Sequence, residues 1–214
     1  MNSAVILAAG IGSRFGSKIP KQFIKINGKE LLSYSVNTFL DHPKIDEVVI
    51  VVHPDWAADV SQQYSSCKVI KGGKRRQDSS LNGVKATDNR TINVLIHDAA
   101  RPFVSKNIIT ECINKLSNYK GSAPVMPVSN SMIQLDQDRV LYLDRNKIRE
   151  VQTPQCFKKD LILKVLLSNL EGTDEIGMFI RKFPNLKLQL VDGSVENIKL
   201  TSKVDLELFR HLIK

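Results

Sequence analysis

Small and cationic residues alternate between Ala8 and Lys21 in a manner suited to an anion carrying several negative charges. The stretch AVILAAGIGSRFGSKIPK begins with an apolar run at residues 4–7. It continues into a loop that holds Ala8, Ala9, Gly10, Gly12 and Gly16, with Arg14, Lys18 and Lys21 between them. Small side chains let backbone N–H groups close on a ligand, and glycine reaches the φ > 0 conformations such a loop needs. Successive N–H groups turned into one concavity form an anion site. Three cations in the same loop suit a triphosphate. Neither common phosphate-loop pattern is present, because Phe15 stands where both the P-loop and the G-x-G-x-x-G fingerprint require a glycine. On loop composition alone, a solvated basic loop after a buried strand is the other reading.

Two further stretches carry chemistry. Gly72-Gly73 opens a basic cluster of Lys71, Lys74, Arg75 and Arg76, and Asp78-Ser79-Ser80 follows where a helix N-cap is expected. His97-Asp98-Ala99-Ala100-Arg101-Pro102 closes the apolar run at 93–96. A carboxylate directly after a buried strand suits Mg²⁺, which takes one or two carboxylates plus substrate phosphates; alone, Asp98 reads equally as a turn or capping aspartate. Arg101 would neutralise a second phosphate, or form a surface salt bridge of small consequence. His97 reads as structural, since nothing pairs it with a nucleophile. Together these parts fit nucleotidyl transfer, in which a phosphate oxygen attacks the α-phosphorus of a nucleoside triphosphate and releases pyrophosphate. That reaction needs positioning and charge neutralisation, with no covalent nucleophile and no general base.

The elements that must hold these residues follow from periodicity. The run 48–52, Val-Val-Ile-Val-Val, fits a strand buried on both faces, as do 4–7 and 93–96. Helical spacing covers residues 30–41, 56–64, 79–86 and 105–118. The resulting β-α alternation predicts an α/β fold, a mostly parallel sheet with helices on both faces. Ligands of such sheets gather at the carboxyl ends of the strands, where the 8–21, 72–79 and 97–102 loops would meet. Residues 129–152 break the rhythm and read as a β-hairpin arm, either packing on a partner or lying on a monomer surface. Helices near 159–169 and 175–182, a strand at 186–191 and a helix at 205–213 complete a single domain spanning 1–214.

Composition narrows the classes. The chain has 214 residues, 42% hydrophobic and 25% charged, with a formal charge of +9. Apart from the 71–76 cluster its cations are spread along the chain and no RNA-binding or helix-turn-helix pattern accompanies them, so a phosphorylated small substrate, or simply a basic surface, explains the charge at least as well as nucleic acid does. Cys67, Cys112 and Cys156 are too few and too scattered for a disulfide framework or a zinc cluster. No apolar run reaches membrane-spanning length, so neither a membrane span nor a secretory signal is expected, and cytoplasm is the expected compartment.

Six ordered motifs, LAAGIGSRFG…PKQF (7–23), GGKRRQDSS (72–80), HDAARPF (97–103), DRN…QTPQCF (144–157), TDE (173–175) and ENIKLT (196–201), resemble the 2-C-methyl-D-erythritol 4-phosphate cytidylyltransferases of isoprenoid precursor synthesis. The resemblance covers nearly the whole chain and implies a Rossmann-like nucleotidyltransferase, dimeric through the 129–152 arm. It implies CTP on Ala8, Ala9, Gly10, Gly73 and Ser79, with Arg14 and Lys21 holding the triphosphate and stabilising the transition state. It places Mg²⁺ on Asp98, the acceptor phosphate near Arg101, Ser131, Thr173 and Lys199, and Arg145 reaching in from the partner subunit. Two departures concern substrate contacts: Lys74 stands where the family commonly has an acid, and Ser129-Asn130-Ser131 where it commonly reads x-Asp-Thr. A close relative makes CDP-ribitol from ribitol 5-phosphate, but HDAARP and Leu143-Asp144-Arg145-Asn146 favour the methylerythritol acceptor.

Overall fold

The computed structural model describes residues 1–10, 19–168 and 170–212. The first half of the chain alternates as its periodicity predicts. Strand β1 (Asn2–Ala8) is followed by the small hairpin β2 (Lys25–Ile26) and β3 (Lys29–Glu30), then helix α1 (Leu31–Leu40). Next come β4 (Glu47–Val52), α2 (Ala57–Gln63), β5 (Lys68–Lys71), α3 (Arg76–Ala86), β6 (Asn93–Asp98), α4 (Lys106–Lys115) and β7 (Gly121–Pro127). The second half adds β8 (Met132–Asp136), β9 (Arg139–Leu143), β10 (Arg149–Val151), β11 (Gln155–Lys158), α5 (Lys159–Leu166), α6 (Glu175–Lys182), β12 (Leu188–Asp192) and α7 (Lys203–Leu212).

The main sheet has the order β10-β7-β11-β6-β1-β4-β5, and β12 also pairs with β7. Strands β5, β4, β1 and β6 run parallel, in a register that sets Ala8 beside Val52, Val52 beside Lys71, and Leu7 beside Asp98. Their carboxyl ends are therefore level. Alternation along the strands feeds two apolar layers. Ala4, Ile6, Val48, Ile50 and Leu95 join Leu32, Val36 and Phe39 of α1 and Ile109 and Cys112 of α4 on one face. Val5, Val49, Val51, Val94 and Ile96 join Val84 of α3, Ile162 of α5 and Phe179 of α6 on the other. A third cluster packs Phe209 of α7 and Leu200 against Ala100 of the HDAARP turn.

Three features depart from the sequence expectation. Helix α3 begins at Arg76, not near Ser79, because the Asp78 carboxylate accepts the Arg75 backbone N–H at 3.0 Å from within the first turn. The change carries Arg76 into the helix, beside the end of β6. Strand β11 slots antiparallel between β6 and β7, so that β7 does not lie beside β6. Its four residues, directly after Pro154, are too few to show a period, and Thr153-Pro154-Gln155 reads as the end of the arm. Residues 149–151 also pair with β7 in the main sheet, leaving β8 and β9 as the separate hairpin. That hairpin exposes Ile133, Leu135, Val140, Leu141 and Tyr142 at 46–72%. Among the described residues no helix is long and apolar enough to cross a membrane.

Helix α3 approaches the sheet closely at Gly83, where an added Cβ would meet the side chains of Val5 and Val51. Gly83→Ala should destabilise the protein by about 1–3 kcal/mol through overpacking, despite better helix propensity. Urea unfolding checks this, and an unchanged midpoint would show that α3 can back away from the sheet.

Candidate active site

The level strand ends leave a cavity of about 360 Å³ at the carboxyl edge. Ala8, Ala9, Gly10 and Lys21 line it from the first loop, Gly73, Lys74, Arg75, Arg76 and Ser79 from the second, Asp98 from the third, and Lys199 from near the C-terminus. Among these lining residues the cations Lys21, Lys74, Arg75, Arg76 and Lys199 face one carboxylate, Asp98. Such an excess of positive charge in a concave site suits a polyanion.

Local geometry fixes the two small-residue loops. The Gln22 side chain, 3% exposed, donates to Ala8 O at 2.6 Å and Gly10 O at 3.0 Å, clamping the loop after β1. Lys21 extends from the same turn, and its Nζ donates to Leu200 O at 2.7 Å. Gly72 must be glycine because a Cβ there would meet the Ala9 side chain, with Ser79 Oγ at 2.9 Å. Ser79 Oγ in turn accepts the Gly73 N–H at 3.0 Å, so its role here is to hold the glycine pair.

Asp98 is the electrostatic centre. Its Oδ1 accepts from Nε and Nη2 of Arg76 at 3.2 and 3.1 Å, and its Oδ2 accepts from Lys199 Nζ at 2.6 Å. Burial opposes ionisation, but Arg76 and Lys199 outweigh it and hold the carboxyl well below the usual range. Arg76 also donates from Nη1 to both oxygens of Glu175, at 2.7 and 2.8 Å. Burial works against its charge, yet the two carboxylates raise its pKa. Asp98 supplies one carboxylate for Mg²⁺, which would displace a cation now paired with it when it arrives with the triphosphate. The described residues include no cluster of three or more His, Cys, Asp or Glu, so the remaining ligands would come from phosphate and water.

Comparison with known proteins shows the family. The model of the 2-C-methyl-D-erythritol 4-phosphate cytidylyltransferase family matches residues 2–214. The chain belongs to this family. It is 38% identical over 218 residues to the Thermotoga neapolitana cytidylyltransferase of that name, covering 100% of this chain and 97% of the relative. With the Clostridium acetobutylicum enzyme of that name the identity is 39% over 227 residues, covering 100% and 98%. Among solved structures, the 4-diphosphocytidyl-2C-methyl-D-erythritol synthase of Anaerococcus prevotii superposes with a TM-score of 0.88 at 27% identity, covering 99% of this chain and 95% of that one.

Of the residues that the family resemblance singles out, the fold brings Ala8, Ala9, Gly10, Lys21, Gly73, Ser79, Asp98 and Lys199 into one cavity. Arg14 lies outside the described residues. Ser131, Arg145 and Thr173 are exposed and do not line the cavity; Arg145 Nη1 donates to Ser129 O at 2.7 Å. Arg101 is 7% exposed, with Nη1 donating to Asn197 O at 2.7 Å. The sequence assigns no role to Gln22, Arg76 or Glu175. All three lie within quoted motifs, but only the fold reveals what they touch.

His97 is structural, as expected. Arg101 O can only accept, so His97 Nε2 carries the proton it shares there at 3.0 Å. Nδ1 then accepts from Thr153 Oγ1 at 2.9 Å, and Thr153 Oγ1 accepts the Asp98 N–H at 3.2 Å. This chain locks the turn that carries Asp98. Burial drives the His97 pKa down to about 4, against 6.5 ordinarily. The unfolded chain binds a proton between these values and the folded chain does not, so stability is full above about pH 6.5 and falls toward pH 4. His97→Gln should remove about 3 kcal/mol of that pH dependence. Urea unfolding at pH 4.5 and 7.5 measures it, and an undiminished dependence would assign the acid limb to other groups.

Proposed function

We propose that this chain transfers CMP from CTP to 2-C-methyl-D-erythritol 4-phosphate, releasing pyrophosphate. The observation that carries the reading is the cationic cavity at the carboxyl edge, centred on ionised Asp98. A phosphate oxygen of the acceptor attacks the α-phosphorus of CTP, the bond to the bridging α–β oxygen breaks, and pyrophosphate carries away the electron pair. The attacking oxygen is already anionic, so no proton need be moved. Charge neutralisation is the main demand on the protein.

In this reading CTP lies on Ala8, Ala9, Gly10, Gly73 and Ser79. Arg14 and Lys21 counter the negative charge that builds on the triphosphate. Asp98 would hold Mg²⁺, which supplies electrophilic stabilisation of the phosphates when bound. Lys199 exchanges its contact with Asp98 for an acceptor-side phosphate, near Arg101, Ser131 and Thr173. The apolar, exposed hairpin β8–β9 supports a homodimer, since a patch of this kind calls for a cover. Arg145 of the partner subunit would then reach the acceptor.

Pyrophosphate release with CTP and Mg²⁺ tests the reaction. Turnover should favour 2-C-methyl-D-erythritol 4-phosphate over ribitol 5-phosphate by at least about tenfold in kcat/KM. The reverse preference would reassign the acceptor, and no pyrophosphate with either would remove the activity. Lys21→Ala should lower kcat by about 10²–10³-fold with little change in KM, as loss of a transition-state contact does. A raised KM alone would make Lys21 a ground-state ligand. Mixing inactive Lys21→Ala and Arg145→Ala proteins should restore part of the activity in heterodimers; no recovery would argue against a shared site.

A further inference from the structure

Arg76 and Glu175 have no part in the reading above, yet they form the most buried charge cluster at the site. Arg76 is the first residue of α3 and Glu175 the first of α6. The Glu175 side chain is 0% exposed, and Ser80 Oγ donates to its Oε1 at 2.5 Å. Its two oxygens hold Nη1 of Arg76, while Nε and Nη2 of the same guanidinium close on Oδ1 of Asp98. The two oxygens of Asp98 are thus unequal. Oδ1 is gripped by a planar fork anchored in the interior, whereas Oδ2 meets Lys199, a point charge on a rotatable stem.

We propose that Arg76, anchored by Glu175, is a positioning residue that keeps Oδ1 of Asp98 occupied and leaves Oδ2 as the oxygen offered to the divalent cation that accompanies CTP. The proposal rests on the reading that Asp98 takes that cation. Glu175 is as important as Arg76, because its charge offsets the guanidinium and leaves Asp98 with its full attraction for a cation. Arg76 without Glu175 would be an uncompensated positive charge beside the metal. Removing both would free Oδ1 and relieve the competition.

Opposite signs follow for two variants of one cluster. The measurement is CTP binding by calorimetry without acceptor, in excess Mg²⁺ and in EDTA; the ratio of the two Kd values is the metal coupling. Glu175→Gln should reduce that ratio at least about threefold relative to the wild type, and the double variant Arg76→Met/Glu175→Gln should raise it at least about threefold, modest values for one charge a few ångströms away. A merely structural role would move both in the same direction, together with the thermal midpoint, and that result would overturn the proposal, as would two unchanged ratios. If Glu175→Gln does not fold, the double variant decides alone, because it leaves no lone buried charge; a ratio that does not rise overturns the proposal. A wild-type ratio of one overturns it together with the Mg²⁺ reading, whereas pyrophosphate release in EDTA would leave the transfer reaction standing.

Discussion

The parallel pairing of β1 with β4 on one side and β6 on the other is the constraint on which the site depends. Its register places Leu7, Val51 and Asp98 at one level. Because successive side chains alternate, that register also commits Val5 to one apolar layer and Ile6 to the other. A slip of one residue would exchange the layers and carry Asp98 away from the first loop. The loops after β1, β5 and β6 converge because three strands stop together, although they are tens of residues apart in the chain.

Convergence crowds like charges, and the structure offsets them by degrees. Arg75, at the rim, meets Asp78 and Glu171 in contacts exposed enough to contribute little. Arg76, deeper, is shared between Asp98 and fully buried Glu175. Lys199 completes the set on Oδ2 of Asp98. Two carboxylates and two cations in this inner group balance. A polyanionic ligand therefore meets a site that is already ordered, which reduces what must be reorganised on binding.

Much of this was legible in the chain. Val-Val-Ile-Val-Val at 48–52 can hardly be anything but a strand covered on both faces, and Asn27-Gly28 forms the tight hairpin turn such a dipeptide favours, with φ of 49° and 78°. The six motifs placed Gly73, Asp98 and Lys199 at one site before any geometry was known. The start of α3 was missed because Asp78 looks like an N-cap and is instead a first-turn partner of Arg75. Strand β11 was missed because its four residues carry no usable period, and its place between β6 and β7 reflects partners far along the chain.

The sequence by itself determined the α/β class, the family, and the residue types that meet phosphate, because these follow from local periodicity and from motifs whose order survives in one dimension. Tertiary structure alone decided the pairings. Glu175 is 99 residues from Arg76, and Lys199 is 101 from Asp98. Which oxygen of Asp98 each cation takes depends on where α3, β6 and α6 end in space. A carboxylate's partners are chosen by distances of a few ångströms, and no spacing along the chain encodes those distances.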